Sequence, residues 1–228
     1  AIRPLLRNSP LSKSSISRLI VRLKAYFEGW SQRSLAGEDV RYLYLDGICV
    51  RVRCGGKTES LPVLAAVGVG ADGEKVLLAL ELCGAESTSS WKGLIEGMSG
   101  RGLRAPRLAI IDGNPGLTQA LAQTWPKTDR QRCAVHKLRN LHDHAPKRLY
   151  DEISDDFHTI VYAENYAAGR AAYEAFLRKW RRSCEGVTRS LEEAGMELLT
   201  FYFYPKSQWK ALRTTNIIER INGEFRRR

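Results

Sequence analysis

Between residues 42 and 82 the apolar positions fall into three short runs. YLYLDGICVRVR (42–53) is rich in Tyr, Ile and Val, LPVLAAVGV (61–69) is apolar nearly throughout, and KVLLALEL (75–82) follows closely. Each has the length and composition of a strand. Cys54-Gly55-Gly56-Lys57 supplies a turn between the first two, and Asp72-Gly73 is a hairpin signal between the last two. The three runs predict an antiparallel meander. After residue 86 the period lengthens. Trp91, Leu94, Ile95 and Met98 recur at helical spacing over 87–99, behind a Ser87-Thr88 opening. RLAII (107–111) reads as a short buried strand, and Asp112-Gly113-Asn114-Pro115 as a turn. Pro115 suits the first turn of a helix running to about Thr124. A short strand near 129–133 and a helix from about Val135 to Leu141 complete the series. The order β-β-β-α-β-α-β-α predicts an α/β fold, a mixed sheet with helices on its faces.

The flanking stretches are helical in pattern. Residues 11–29 carry Ile16, Leu19, Ile20, Leu23 and Phe27 on one stripe and Lys13, Arg18, Arg22 and Lys24 on another, with Ser14 or Ser15 as the cap. This basic helix reads either as the end of a truncated DNA-binding region or as a solvated surface helix. Residues 145–200 show Ala-rich amphipathic stretches such as 162–180 and no strand alternation, and residues 213–228 form a closing helix. The chain therefore divides into a basic helical N-terminal segment (1–39), an α/β core (40–144), an all-helical insertion (145–205) and a closing segment of the core (206–228). It begins at Ala1, and Arg226, Arg227 and Arg228 stand inside an unfinished helical pattern. Both ends read as cut.

Charge changes the picture. Among 228 residues, 36 Lys and Arg oppose 25 Asp and Glu, a formal net charge of +11. Such an excess favours a polyanionic partner through phosphate contacts and counterion release. Five scattered cysteines, Cys49, Cys54, Cys83, Cys133 and Cys184, do not make a disulfide framework in a chain of this size, which points to a reducing compartment. No apolar run reaches membrane-spanning length.

Three acids are candidates for chemistry. Asp46 shares a strand face with Tyr44, Ile48 and Val50, where an ionised carboxylate is costly unless paired or bound to a metal; a strand-end Asp bonded to local backbone is the plainer alternative. Asp112 ends a buried strand, the place where α/β sheets usually present ligand-binding groups, although Asp-Gly-Asn-Pro is good turn chemistry in its own right. Glu219 lies on a helix with Thr215, Asn222 and Arg226, opposite the stripe Ile217, Ile218, Ile221 and Phe225. Its alternative is a capping box with Asn216 as the cap. Together the three fit one scheme. Converging carboxylates repel each other, and Mg2+ or Mn2+, hard ions that prefer oxygen, resolve the repulsion. Two such ions suit an in-line phosphoryl displacement.

Four segments carry a resemblance: Tyr42-Leu43-Tyr44-Leu45-Asp46-Gly47, Asp112-Gly113-Asn114-Pro115-Gly116-Leu117, Gln131-Arg132-Cys133-Ala134-Val135-His136-Lys137-Leu138-Arg139-Asn140 and Thr215-Asn216-Ile217-Ile218-Glu219-Arg220-Ile221-Asn222. In this order they resemble the Mutator-type transposases of bacterial insertion sequences, over roughly residues 40–228. The resemblance implies a ribonuclease H-like fold, a helical insertion before the last catalytic helix, and an aspartate-aspartate-glutamate triad of Asp46, Asp112 and Glu219 holding two Mg2+ or Mn2+ ions. It implies double-stranded DNA as partner, both transposon terminal repeats and target DNA, a homodimer or higher oligomer, no membrane, and a bacterial cytoplasmic, nucleoid-associated location. The family usually has a large aromatic where this chain has Ala134.

Cys133 and His136 form the family's Cys-x-x-His signature. By spacing alone this is half a zinc site, with His142 and His144 as further candidate ligands that nothing in the spacing demands; the plainer reading makes Cys133 a buried strand-end residue and His136 an active-site edge. Lys137, Arg139, Asn222 and Arg226 are the further candidates for DNA contact. The function implied is metal-dependent strand cleavage and transfer at transposon ends. The alternatives are a truncated, non-catalytic remnant that binds DNA or a full-length partner, and a ribonuclease H-like nuclease such as a junction resolvase, against which the signature and the large insertion argue.

Overall fold

The computed structural model describes residues 12–54 and 56–218. Helix α1 (Lys13–Ser31) is followed by three long strands, β1 (Val40–Cys54), β2 (Lys57–Gly70) and β3 (Lys75–Leu82). Then come α2 (Thr88–Gly100), β4 (Leu108–Ile111), α3 (Pro115–Thr124), β5 (Asp129–Arg132) and α4 (Ala134–Asp143). From Tyr150 onward the chain is helical: α5 (Tyr150–Val161), α6 (Tyr166–Trp180), α7 (Glu185–Ala194), a 3-10 stretch Gly195–Phe203, and the short α8 (Trp209–Leu212). The α/β reading and the predicted element order hold throughout this range.

The five strands form one sheet in the order β3-β2-β1-β4-β5. β1 runs antiparallel to β2, and β2 to β3, whereas β1, β4 and β5 are parallel. Strand alternation divides the core in two. Leu43, Leu45, Ala109 and Ile111 pack under α2 and α3, around the fully buried Trp91. Tyr42, Tyr44, Leu108 and Ile110 face the other way and share one apolar core with Phe157, Trp180, Leu191 and Leu199 of the helical segment. The helices from 150 onward thus roof one face of the sheet.

β5 is the sheet's edge. Its buried Gln131 meets the 3-10 stretch with both ends of its carboxamide: Nε2 donates to the Leu198 carbonyl at 2.9 Å, and Oε1 accepts the Phe201 N–H at 2.7 Å.

Two departures from the sequence reading have plain causes. β2 starts at Lys57, not near residue 61, because Lys57–Leu61 pairs with Val50–Cys54 as an exposed ribbon whose polar composition hides the strand. Helix α1 is capped by Ser12, whose hydroxyl accepts the Ser15 N–H, and no residue of it is buried; Ile20, Leu23 and Phe27 all stand exposed. Its periodicity is real, but nothing among the described residues covers it.

Candidate functional site

The sheet register brings the two aspartates together. β1 and β4 pair in parallel, Tyr42 with Leu108, Leu43 with Ala109 and Tyr44 with Ile110. The same offset carried two residues further sets Asp46 beside Asp112, on the face roofed by the helical segment. Asp46 is 5% exposed. Burial, the nearest thing to a penalty on its charge, raises its pKa to about 7; His136 pulls it down, and the charges of Asp112 and Glu86 push it up.

Asp112 is held by its turn. Its Oδ1 accepts the Asn114 N–H at 2.9 Å, and Asn114 Oδ1 in turn caps α3 by accepting from Gly116 and Leu117 at 2.8 and 3.2 Å. The turn-chemistry reading and the site reading are therefore compatible. Between them Gly113 takes φ +97°, and a Cβ there would lie 1.8 Å from Arg132 Nη2. The guanidinium of Arg132 lies flat on this glycine.

Arg132 and Lys137 are nearly sealed from solvent, with side chains 5% and 1% exposed. Both are held by Glu193 of α7. Arg132 makes a two-pronged contact at 2.8 and 2.9 Å, and Lys137 Nζ sits 2.8 Å from the second oxygen and 2.8 Å from the Ser190 carbonyl. Burial alone would raise the Glu193 pKa, but the two cations outweigh it and hold the carboxyl below its ordinary value. Lys137 was expected at the DNA-facing edge; it turns inward instead, because Glu193 offers it a counter-ion under the roof. Arg139, two residues on, is exposed.

Cys133 lies between β5 and α4, wholly buried, as the residue before the helix. Its sulfur accepts the backbone N–H and the hydroxyl of Thr215, each at 3.3 Å. Thr215 Oγ1 also lies 3.4 Å from His136 Nδ1. The Cys133 hydrogen bond, opposed by burial, raises the His136 pKa to about 9, with Asp46 and Asp112 adding their attraction. The thiol moves the opposite way: burial pushes it up, yet His136 and Thr215 bring it below its ordinary value. These directions favour the imidazolium form of His136 beside Asp46 and Asp112.

The zinc set does not assemble. His142 Nε2 is 3.0 Å from Ser154 Oγ and its ring stacks on Tyr150, while Cys133 is occupied by Thr215. Among the described residues no group of three or more His, Cys, Asp or Glu side chains is arranged to hold a metal. Glu219, Asn222 and Arg226 lie outside the described residues, as does the rest of the predicted closing segment beyond Ile218. Asn216, Ile217 and Ile218 are helical, and Glu219, the other half of the capping-box alternative, is not among the described residues. No described helix is long and apolar enough to cross a membrane.

Sequence reasoning missed Glu86. It sits just before the Ser87 cap of α2, and its Oε1 accepts the Trp91 indole N–H at 3.1 Å. Its carboxylate covers Gly47, where a Cβ would fall 2.7 Å from Oε2. Burial and Asp112 raise its pKa against the Trp91 bond. The one linear hint was Gly47, whose missing side chain makes room for a neighbour beside Asp46.

Comparison with known proteins places this geometry in a family. The profile described as "Transposase, Mutator family" matches residues 4–228. The chain is 36% identical over 217 residues to the transposase for insertion sequence element ISRM5 of Rhizobium meliloti (strain 1021), covering 95% of this chain and 54% of that protein. It is 32% identical over 219 residues to the transposase for IS905 of Lactococcus lactis subsp. lactis (strain IL1403), covering 96% and 54%. It is 33% identical over 226 residues to the transposase for IST2 of Acidithiobacillus ferrooxidans, covering 96% and 73%. The chain spans about half the length of the first two relatives. With the profile matched almost end to end, the chain belongs to the Mutator family of transposases.

Proposed function

We propose that this chain is the catalytic core of a DNA transposase of the aspartate-aspartate-glutamate type, cutting and joining strands at transposon ends with Asp46, Asp112 and Glu219. The observation that carries the reading is the register of β1 and β4, which sets Asp46 against Asp112 on one sheet face. The strand order β3-β2-β1-β4-β5, with only β2 and its neighbours antiparallel, supports a ribonuclease H-like core, and the helices between 145 and 205 support an insertion before the closing segment (206–228).

The donor set suits a hard divalent cation. Asp112 stands close enough to Asp46 to raise its cost of ionisation, and Asp46 is buried with no Lys or Arg paired to it among the described residues. A cation would favour the ionised form that burial penalises. Asp46 and Asp112, with Glu219, would hold Mg2+ or Mn2+, two ions in this reading. Bound there, such ions lower the pKa of an attacking oxygen and stabilise a leaving one.

The protein's own groups do the rest. The Asp112–Asn114 turn fixes the second carboxylate. His136, kept protonated by Cys133, offers positive charge to a phosphate held at the aspartates. The basic excess favours double-stranded DNA, at terminal repeats and target alike, and the protein works as a homodimer or higher oligomer in the cytoplasm, on the nucleoid.

A nicking assay on supercoiled plasmid bearing the element's ends tests this. Asp46→Asn and Glu219→Gln should each reduce Mg2+-dependent cleavage about a hundredfold or more, on the scale of losing a transition-state electrostatic contact, with DNA binding retained. Cleavage at the parental rate by either variant would defeat its assignment as a metal ligand.

A further inference from the structure

A groove of about 900 Å3 opens on the roofed side of the sheet, between β2, β3 and the segment 207–217. Val67 of β2 and Leu77 of β3 form its floor, and Val135, the neighbour of His136, forms one wall. Lys75, Lys210 and Arg213 line its rim, and no carboxylate lines it among the described residues. None of these three cations makes an ion pair with a described residue. At one end stands Tyr162, 61% exposed. The Arg213 guanidinium lies 4.1 Å from its ring centroid and is fixed there by donating to the Val161 carbonyl at 2.8 Å. Thr214, also in the lining, adjoins Thr215, which touches Cys133 and His136.

We propose that this groove holds a single, unpaired strand of DNA leading away from the carboxylates, its phosphates on Lys75 and Lys210 and a base stacked on Tyr162. The inference rests on reading Asp46 and Asp112 as the strand-cutting site. Charge complementarity points to a polyanion: three cations without an ion pair among the described residues face a space that no described carboxylate lines. The apolar floor narrows the choice. A duplex offers a groove mostly phosphate and sugar, with its bases turned inward, whereas an unpaired strand also offers flat base faces. A tyrosine braced by a guanidinium, above Val67 and Leu77, is a surface for such faces. A strand freed from its duplex near the reacting phosphate would be kept from re-pairing by this groove.

Fluorescence anisotropy with labelled oligothymidylate, run in EDTA over a series of KCl concentrations, tests the proposal on the whole chain, with a blunt hairpin duplex in parallel. Tyr162→Ala should weaken oligothymidylate binding about tenfold or more with the salt slope unchanged, as loss of one stacked base does. Tyr162→Phe should keep parental affinity. Lys75→Ala combined with Lys210→Ala should reduce the slope of log affinity against log salt by about 1.4, the value for two single-strand phosphate contacts. Duplex binding should change less than threefold, and melting midpoints should stay parental. Parental oligothymidylate binding by both variants, or an equal loss on the duplex, would overturn the proposal. Because no divalent ion is present, failure of the carboxylate assignment would leave these readings untouched: Asp46→Asn would still bind oligothymidylate as the parent does while its cleavage is scored separately.

Discussion

The two faces of the sheet are made from alternate residues of the same strands, yet they differ in almost every respect. Under α2 and α3 the packing is apolar: Leu43, Leu45, Leu64, Ile111 and Trp91 exclude water and carry no charge. The opposite face buries Asp46 and Gln131, and under its roof Lys137. The first face is closed by helices only a few residues away along the chain. The second is closed by α7 and the 3-10 stretch, about 60 residues beyond the strands they meet. The apolar face is generic stabilisation; the polar face assembles only when distant segments supply counter-ions and hydrogen-bond partners. Chemistry is placed where the fold has the most to compensate.

The largest effect expected on this contrast is at Glu193. Glu193→Ala leaves two buried cations without a counter-ion, which should destabilise the protein by about 3–5 kcal/mol, as breaking a buried ion pair from one side does. Trp91→Ala on the apolar face should cost about the same, through a cavity. The two losses separate in the second step: adding Lys137→Met to Glu193→Ala should restore part of the stability, since it removes an unpaired charge, and no charge change should rescue Trp91→Ala. Equilibrium urea unfolding reads all four. Failure of Lys137→Met to restore any stability would show that the charge is not what Glu193 balances.

The next effect concerns pH. Asp46 has its folded-state pKa raised from 3.8 to about 7. The unfolded chain therefore releases this proton first, and stability falls as pH rises from about 4 to about 7, by up to roughly 4 kcal/mol. His136 is raised and Cys133 lowered, and these two shifts oppose each other, so Asp46 dominates the window. Asp46→Asn should flatten the profile and raise the metal-free unfolding midpoint at pH 8, and Mg2+ should stabilise the parent but not the variant. A parental profile as flat as that of Asp46→Asn would refute the burial cost.

The smallest is local. Gly113→Ala meets a left-handed backbone and the clamped Arg132, and should cost about 1–3 kcal/mol. Gly47→Ala meets only the end of the Glu86 side chain, which can swing aside, and should cost less. A larger loss at Gly47 than at Gly113 in the same unfolding assay would reverse the ranking of the two contacts.

Much of this was legible in the chain. β4, α3 and the meander could be read off because their signals are local: a four-residue apolar run, Pro115 opening a helix after an Asp-Gly-Asn turn, Asp72-Gly73 between strands. Asp46 and Asp112 were legible because face parity and strand-end position are sequence properties. Glu86 and the inward turn of Lys137 were not, since each depends on a partner far away in the chain, Gly47 or Glu193, that no period announces. The polar ribbon at 57–61 was missed for the converse reason. Its strand is held by main-chain pairing alone, with no buried face to imprint an alternation.

Gln131 carries a consequence of another kind. An edge strand with free amides and carbonyls is an invitation to any passing strand, including that of a second molecule. In β5 the carboxamide of Gln131 engages the Leu198 carbonyl and the Phe201 N–H, and the 3-10 stretch lies along that side of the sheet. The helical segment is thereby a guard for solubility as well as a roof. A shortened protein made by joining α4 straight to α8 would leave β5 bare, and its first failing would be aggregation rather than lost catalysis.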